Sequence, residues 1–533
     1  MREDAFPAKG ISRRAFSISC AAGLGGLLAR PALAAAAPIA TTTHGQVRGR
    51  CEYGVNVFRG IPYGASTAGR NRFAAPQPPA AWSGVRDALD YGLRSPQLPD
   101  GPDGPGFSSW REPKASGEDC LALNVWTPGL ADGKKRPVMV WLHGGGLAVG
   151  SGATPVTDGR NLAARQDVVV VAVNHRLNLF GYLYFGDLTR DRSVAANPGQ
   201  LDMVAALQWV RDNIAAFGGD PQNVTIFGHS GGGLKVAGLM AMPAAKGLFH
   251  RAILQSGFGT TTVARDEAER ITASLCKAVG VRAGDVEALR AIPIERLLAG
   301  LQEITGGNPV RGPGLVADGT VVARTPFAPD LPAVSPDIPV MVGHTSAETT
   351  VLFPPPGAFD LDWTNLPAAL EGRVASPAPL IEGFRKLHPK ATASDIFFAI
   401  TTEAGMGRNA RIVAETRAAG ATKPAYAYLV NWQSPAQGGR MRSPHGIEVP
   451  MVFDMVTESY GSVGERMANA KHLADGMSRY WANFARTGDP NGDCLPLWPA
   501  YGQDQRMTMI FDTEYAASAD PLGAEQTLIA RYA

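Results

Sequence analysis

Three short segments of the chain carry residue types suited to acyl transfer. In Gly228-His229-Ser230-Gly231-Gly232 a serine stands between glycines, directly after an apolar run ending at Phe227. Acyl transfer needs a serine oxygen held on a sharp strand-to-helix turn, where glycines let the backbone bend and the substrate approach. Ser230 is the candidate nucleophile. A lone match of this kind carries little in a chain with 62 glycines; its place between a strand pattern and a helix pattern is what makes it informative. The second segment, His143-Gly144-Gly145-Gly146, follows a run ending at Leu142. Glycine N–H groups in an open loop can point at the oxyanion of a tetrahedral intermediate with no side chain in the way. Gly145 and Gly146, joined by Gly231 just after the nucleophile, are the candidate donors.

A base must take the serine proton, and an acid must hold that base in the right tautomer. Of nine histidines, His445 stands late in the chain on a loop flanked by Pro444 and Gly446, from which a side chain can reach back over a sheet. His143 belongs to the glycine loop, and His229 is expected to be turned elsewhere by the bend at Ser230. His44, His175, His250, His388 and His472 have no comparable setting. Glu348, in Gly343-His344-Thr345-Ser346-Ala347-Glu348, follows another apolar run and is the candidate acid. The order Ser230, Glu348, His445 is the order of α/β hydrolases.

These residues need strands and helices to hold them. Residues 136–142 (RPVMVWL) and 167–173 (DVVVVAV) read as buried strands, as do 223–227, 251–255 and 338–342. Residues 201–217 repeat apolar positions at steps of three and four, which predicts an amphipathic helix ended by Gly218-Gly219-Asp220-Pro221. Residues 234–240 also read as helix. Strands alternating with helices predict an α/β fold with a central, mostly parallel sheet flanked by helices. Helix-rich stretches at 258–335 and 350–425, with windows such as 266–279 and 404–419, are expected to be large insertions framing a pocket. The simplest organisation is one catalytic domain over 35–533.

Composition narrows the rest. A chain of 533 residues, 45% hydrophobic and 18% charged, has the make-up of a packed globular protein and excludes disorder, collagen and coiled coil. Its net charge of +2 rests on residues 1–34, which carry five Lys/Arg and two Asp/Glu; the remainder is at −1. That balance gives no footprint for nucleic acid or an anionic membrane. Residues 1–34 themselves read as a twin-arginine-type export signal, with Arg13-Arg14, an apolar stretch from Ile18 to Ala29, and the small-residue pattern Ala32-Leu33-Ala34. The stretch is too short for a permanent anchor, so a periplasmic or secreted protein is expected. The four cysteines beyond it, at 51, 120, 276 and 494, show no metal-type spacing and no disulfide framework. No HExxH and no dinucleotide-type GxGxxG is present, so no metal or cofactor is called for.

The chain resembles the type-B carboxylesterases, the family that also contains the cholinesterases. Beyond the site segments, the resemblance lies in Phe58-Arg59-Gly60-Ile61-Pro62-Tyr63, Arg72-Phe73, Trp82-Ser83-Gly84-Val85, Glu118-Asp119-Cys120-Leu121, the stretch FGGDPQNVTIFGHSGGG, Gln255-Ser256-Gly257, and Trp481-Ala482-Asn483-Phe484 through Asn491, all in family order from about residue 40 to about 505. The resemblance implies an α/β-hydrolase fold, a serine esterase mechanism without cofactor, and Ser230, Glu348 and His445 as the triad. Some positions depart from the family. Ser95 stands where a cysteine usually precedes Pro-Gln, so Cys120 lacks its usual partner. His229 replaces a common Glu and Gly231 a common Ala. Losing a negative charge at 229 disfavours a cationic alcohol, so small to medium neutral esters are expected, with Leu147, His229 and Trp110 as candidate substrate contacts. An amidase, carbamate hydrolase or lactonase using the same triad is the alternative within enzymes, and an inactive cholinesterase-like binding protein the alternative outside them. A monomer and a dimer are both compatible with the sequence.

Overall fold

The computed structural model of the protein describes residues 37–99, 115–257, 259–308, 311–352 and 354–533. The expected export signal and Trp110 lie outside the described residues. The strands, in chain order, are β1 (Ile39–Thr42), β2 (Gly45–Arg48), β3 (Arg50–Glu52), β4 (Val55–Pro62), β5 (Val85–Asp87), β6 (Ala122–Thr127), β7 (Arg136–Leu142), β8 (Val169–Val173), β9 (Gly219–His229), β10 (Arg251–Gln255), β11 (Val340–Thr345), β12 (Ala425–Val430), β13 (Met507–Phe511) and β14 (Tyr515–Ala519). Three of them, β1, β2 and β5, make a small sheet, and the other eleven make one large sheet in the order β14-β13-β12-β11-β10-β9-β7-β8-β6-β4-β3. From β8 through β13 every pairing is parallel, and antiparallel pairs close both edges.

Side chains alternate across a strand, and here both faces are covered. In β7, Val138, Val140 and Leu142 join one apolar cluster with Met203, Leu207 and Val210, whereas Met139 and Trp141 join the other with Leu473, Met477 and Trp481. Burial on both sides explains why β6, β7, β8, β11 and β12 are buried at every residue, with β8 an unbroken apolar run. The helix expected at 201–217 spans Pro198–Asn213 and tightens into a 3₁₀ turn over Ile214–Phe217. The expected breaker does end it, Gly218 taking the left-handed C-cap conformation at φ 76°, and the residues after Gly218 already begin β9: Arg136 pairs with Gly219 and Val138 with Val224, and the register shift between them accommodates Pro221, which has no N–H to give to the ladder. At its other end β9 runs two residues past Phe227, so His229 is still strand when the chain bends.

Helices in the two helix-rich stretches form apolar clusters apart from those of the sheet. Helices Arg265–Val279 and Ile294–Thr305 bury Leu275, Val279, Leu297 and Leu301 against Phe73 and Phe180. Arg72 fastens this block to the sheet: its guanidinium donates to both oxygens of Glu118 and to the carbonyls of Arg290 and Ile292. Helices Pro377–Leu387 and Ala393–Thr402 pack Leu380, Phe384, Ile396 and Ile400 with Ile529. The second of them starts with a capping box between Thr392 and Asp395. Asp395 also accepts two hydrogen bonds from Arg442 at 2.9 and 2.7 Å, which ties this helix to the loop that carries His445.

Candidate active site

Parallel pairing puts the C-terminal ends of β7, β9, β10, β11 and β12 on one edge of the sheet, and the chemically suggestive residues follow those ends. The HGGG loop leaves Leu142, Ser230 follows His229, Ser256 follows Gln255, Glu348 comes three residues after Thr345, and the segment to His445 departs from Val430. Registers bring them level: Leu142 is beside Gly228, Gln255 beside both His229 and Gly343, and Thr345 beside Val430.

Ser230 adopts φ 59° and ψ −121°, a conformation that costs a non-glycine residue of order 1–3 kcal/mol and persists only when its surroundings impose it. Two contacts impose it here. The Ser230 N–H donates to Gln255 O at 2.8 Å, and the helix Gly231–Met240 begins at the next residue. Its first turn lies against the end of β7 so closely that a Cβ on Gly232 would fall 2.0 Å from Leu142 O. A Cβ on Gly231 would likewise fall 2.0 Å from Gly146 O, which brings two of the three expected oxyanion donors into direct contact. The third, Gly145, has φ +86° and accepts at its carbonyl from the N–H groups of Ala148 and Val149.

Glu348 and His445, 97 positions apart, meet: His445 Nδ1 is hydrogen-bonded to Glu348 Oε2, both side chains being buried. The other carboxylate oxygen of Glu348 accepts from Ser256 Oγ at 2.6 Å and from the Thr345 N–H at 2.8 Å. Burial by itself would raise this carboxyl; the charge and hydrogen bond of His445, with those of Ser256 and Thr345, outweigh it and hold the group below its ordinary value. A backbone bond also stitches the two loops, Ala347 N donating to Ser443 O at 3.1 Å, and the Ser443 hydroxyl ties the second loop to the end of β12, donating to Val430 O at 2.9 Å.

His229 does not turn away as its place in the bend suggested. Its ring packs on that of His445, centroids 4.2 Å apart, and its Nε2 lies 3.9 Å from Oε1 of the buried Glu448. Burial, and next the charge of Glu348, push the Glu448 carboxyl up to about 8, whereas burial and then His445 hold His229 well below the usual imidazole range. Leu147 is 7% exposed and sits in the apolar cluster on one face of the sheet, its carbonyl accepting from the Asn178 N–H at 2.6 Å. Ser95, at the place of the missing family cysteine, is buried and accepts from the Leu177 N–H at 3.1 Å through its hydroxyl. Cys120 is buried and bonded to no cysteine among the described residues, and burial raises its thiol to about 12.

A serine at a strained strand-to-helix bend, a buried imidazole–carboxylate pair and a glycine loop on one sheet edge can perform nucleophilic acyl transfer. A profile of the Carboxylesterase family matches residues 36–359 and 381–527. The chain belongs to the carboxylesterase family. It is 36% identical over 503 residues to the para-nitrobenzyl esterase of Bacillus subtilis, covering 91% of this chain and 96% of that one. Identity is also 36%, over 499 residues, to the phenmedipham hydrolase of Pseudarthrobacter oxydans, covering 91% and 97%. Among solved structures, the carboxylesterase of Geobacillus stearothermophilus superposes with a TM-score of 0.80 at 36% identity over 92% of this chain and 99% of that chain. The fold is that of the α/β hydrolases, and this carboxylesterase is a carboxylic ester hydrolase.

Sequence reasoning singled out neither Ser256 nor Glu448 as part of the site. Ser256 lies at a strand's C-terminal end, as the predicted site residues do, and Glu448 is a lone acid among apolar residues three places after His445. Both patterns were available as signals.

Proposed function

We propose that this carboxylesterase works through an acyl-enzyme on Ser230, with His445 as base and Glu348 as its orienting acid. The observation that carries the reading is the hydrogen bond between His445 and the buried Glu348 on the sheet edge where Ser230 makes its bend. With Nδ1 donating its proton to Glu348, Nε2 is the nitrogen left to take the proton of Ser230 as the hydroxyl oxygen attacks the ester carbonyl. The developing oxyanion is met by the N–H groups of Gly145, Gly146 and Gly231. Among the described residues these three make no hydrogen bond to a backbone carbonyl outside the helices and strands, which supports their availability. His445 then protonates the leaving alcohol, and water releases the acid by the reverse path. Glu348, held ionised by the charge and hydrogen bond of His445 and by the hydrogen bonds of Ser256 and Thr345, which together outweigh burial, offsets the transient imidazolium charge.

The preferred substrates are small to medium neutral esters. His229 in place of a carboxylate, and a Glu448 whose carboxyl is mostly protonated at neutral pH, leave little negative charge to attract a cationic alcohol. Residues 35–533 act as one catalytic domain, and residues 1–34 direct export. No helix among the described residues is long and apolar enough to cross a membrane. The test is Ser230→Ala: the variant is expected to fold, to lose release of p-nitrophenol from short acyl esters, and to escape labelling by a fluorophosphonate. Undiminished turnover overturns the assignment. Matched ester, amide, carbamate and lactone substrates decide between the esterase reading and its alternatives, and retention of an Arg13→Lys/Arg14→Lys chain in the cytoplasm tests the export route.

A further inference from the structure

The segment GGGLKVAGLM, which forms the helix after Ser230, contains a single ionisable residue, Lys235. Its side chain is wholly buried. Burying an amine costs several kcal/mol unless it gains a partner, so a helix that needed only packing here would be served by an apolar residue. The partner is a main-chain oxygen: Lys235 Nζ donates to His143 O at 2.8 Å. His143 is the residue from which the three glycines depart, and its ring is stacked on that of His175, centroids 4.8 Å apart.

Glycines cannot anchor themselves. They have no side chains to pack, and their wide conformational freedom must be removed by neighbours. The far end of this loop is held by Gln97, whose Oε1 accepts from the Gly150 N–H at 2.8 Å and whose Nε2 donates to Gly150 O at 3.2 Å. The middle is closed by the carbonyl of Gly145. The near end is held by Lys235. Because the same helix begins with Gly231, one side chain links the loop bearing Gly145 and Gly146 to the element bearing the other expected donor.

We propose that Lys235 is a positioning residue for the oxyanion hole: by gripping the carbonyl of His143 it sets the glycine loop at a fixed distance from the amide of Gly231. The proposal rests on the oxyanion reading above. Burial pulls the lysine well below its ordinary value, and burial, followed by the lysine's charge, does the same to His143; a neutral amine still has N–H groups to donate, so the grip does not require an ammonium.

The experiment compares the parent enzyme with Lys235→Met and Lys235→Gln, using p-nitrophenyl acetate turnover and binding of an aliphatic trifluoromethyl ketone. The serine hydroxyl adds to that ketone to give an oxyanion without a leaving group, so its affinity reports on the hole. Loss of one oxyanion donor typically costs ~10²–10³ in rate; a loop released at one end loses part of that. Lys235→Met should lower kcat about tenfold or more with KM within about twofold, and weaken the ketone in step with kcat/KM. Lys235→Gln, which keeps a shorter donor, should fall between Met and the parent in both measures, and it decides the matter if the Met variant does not fold. Parent-like kcat in a folded variant overturns the proposal, as does a loss of turnover that leaves ketone affinity unchanged. A parent enzyme that neither turns over esters nor binds the ketone would instead overturn the esterase reading on which the proposal stands.

Discussion

Removing the Ser256 hydroxyl is the most discriminating perturbation of the carboxylate. Glu348 is fully buried, and its Oε1 has two donors, Ser256 Oγ at 2.6 Å and the Thr345 N–H at 2.8 Å. A hydrogen bond to a charged group contributes ~1.5–3 kcal/mol; with Thr345 still in place, Ser256→Ala should cost about 1–2 kcal/mol. That cost has a defined pH dependence. The folded carboxyl lies below its ordinary value of 4.5, so its ionisation contributes stability above 4.5, and this is lost as pH falls through the folded value. Urea unfolding of the parent and Ser256→Ala from pH 3 to pH 8 should therefore give curves that are separated at pH 7 and converge toward the acid end. In turnover, a less firmly held carboxylate orients His445 less well; kcat should fall about threefold to tenfold with KM unchanged, since 1.36 kcal/mol is a factor of ten. A gap in stability that is the same at every pH means that Ser256 acts by packing alone, and no gap at all means that the bond to Glu348 contributes nothing. Either result refutes the reasoning.

Glu448→Gln should reverse the sign of such an experiment. The parent carboxyl, pushed up to about 8 from 4.5 by burial and then by Glu348, contributes its full stability below 4.5 and loses it as pH rises through about 8, so the variant should gain on the parent by about 1–3 kcal/mol between pH 5 and pH 9 in urea midpoints. Arg176 and Asp202 form a buried ion pair, with Nε and Nη2 donating at 2.8 and 2.6 Å; Asp202→Asn should cost about 3–5 kcal/mol by leaving a buried guanidinium without its counter-charge, and a thermal melt unchanged by the substitution would contradict this. Ser230→Ala should leave that melt unchanged while abolishing ester turnover.

Local chemistry explains what the sequence reveals by itself. The apolar runs of β7 and β8, the helical spacing from residue 201 and the bend of glycines around Ser230 are each written in local sequence, because strand burial, helix faces and tight turns are decided by near neighbours. That locality also explains what the pattern misses: Gly218 ends the helix as read, but nothing nearby shows that Gly219, Asp220 and Pro221 already belong to a bulged strand, which only the pairing of β9 with β7 makes them.

Tertiary structure decides the rest, since it depends on which strand ends share an edge and which residues meet there. Nothing within the segment around His445 specifies Glu348, 97 residues earlier, as its hydrogen-bond partner; parallel pairing of β11 with β12 does, by bringing both departing loops to the same side. The contact of His229 with His445, the hydroxyl of Ser256 on Glu348 and the reach of Lys235 to His143 have the same origin. Each is a short distance between residues far apart along the chain, and a chain-order pattern has no term for distance across a sheet edge.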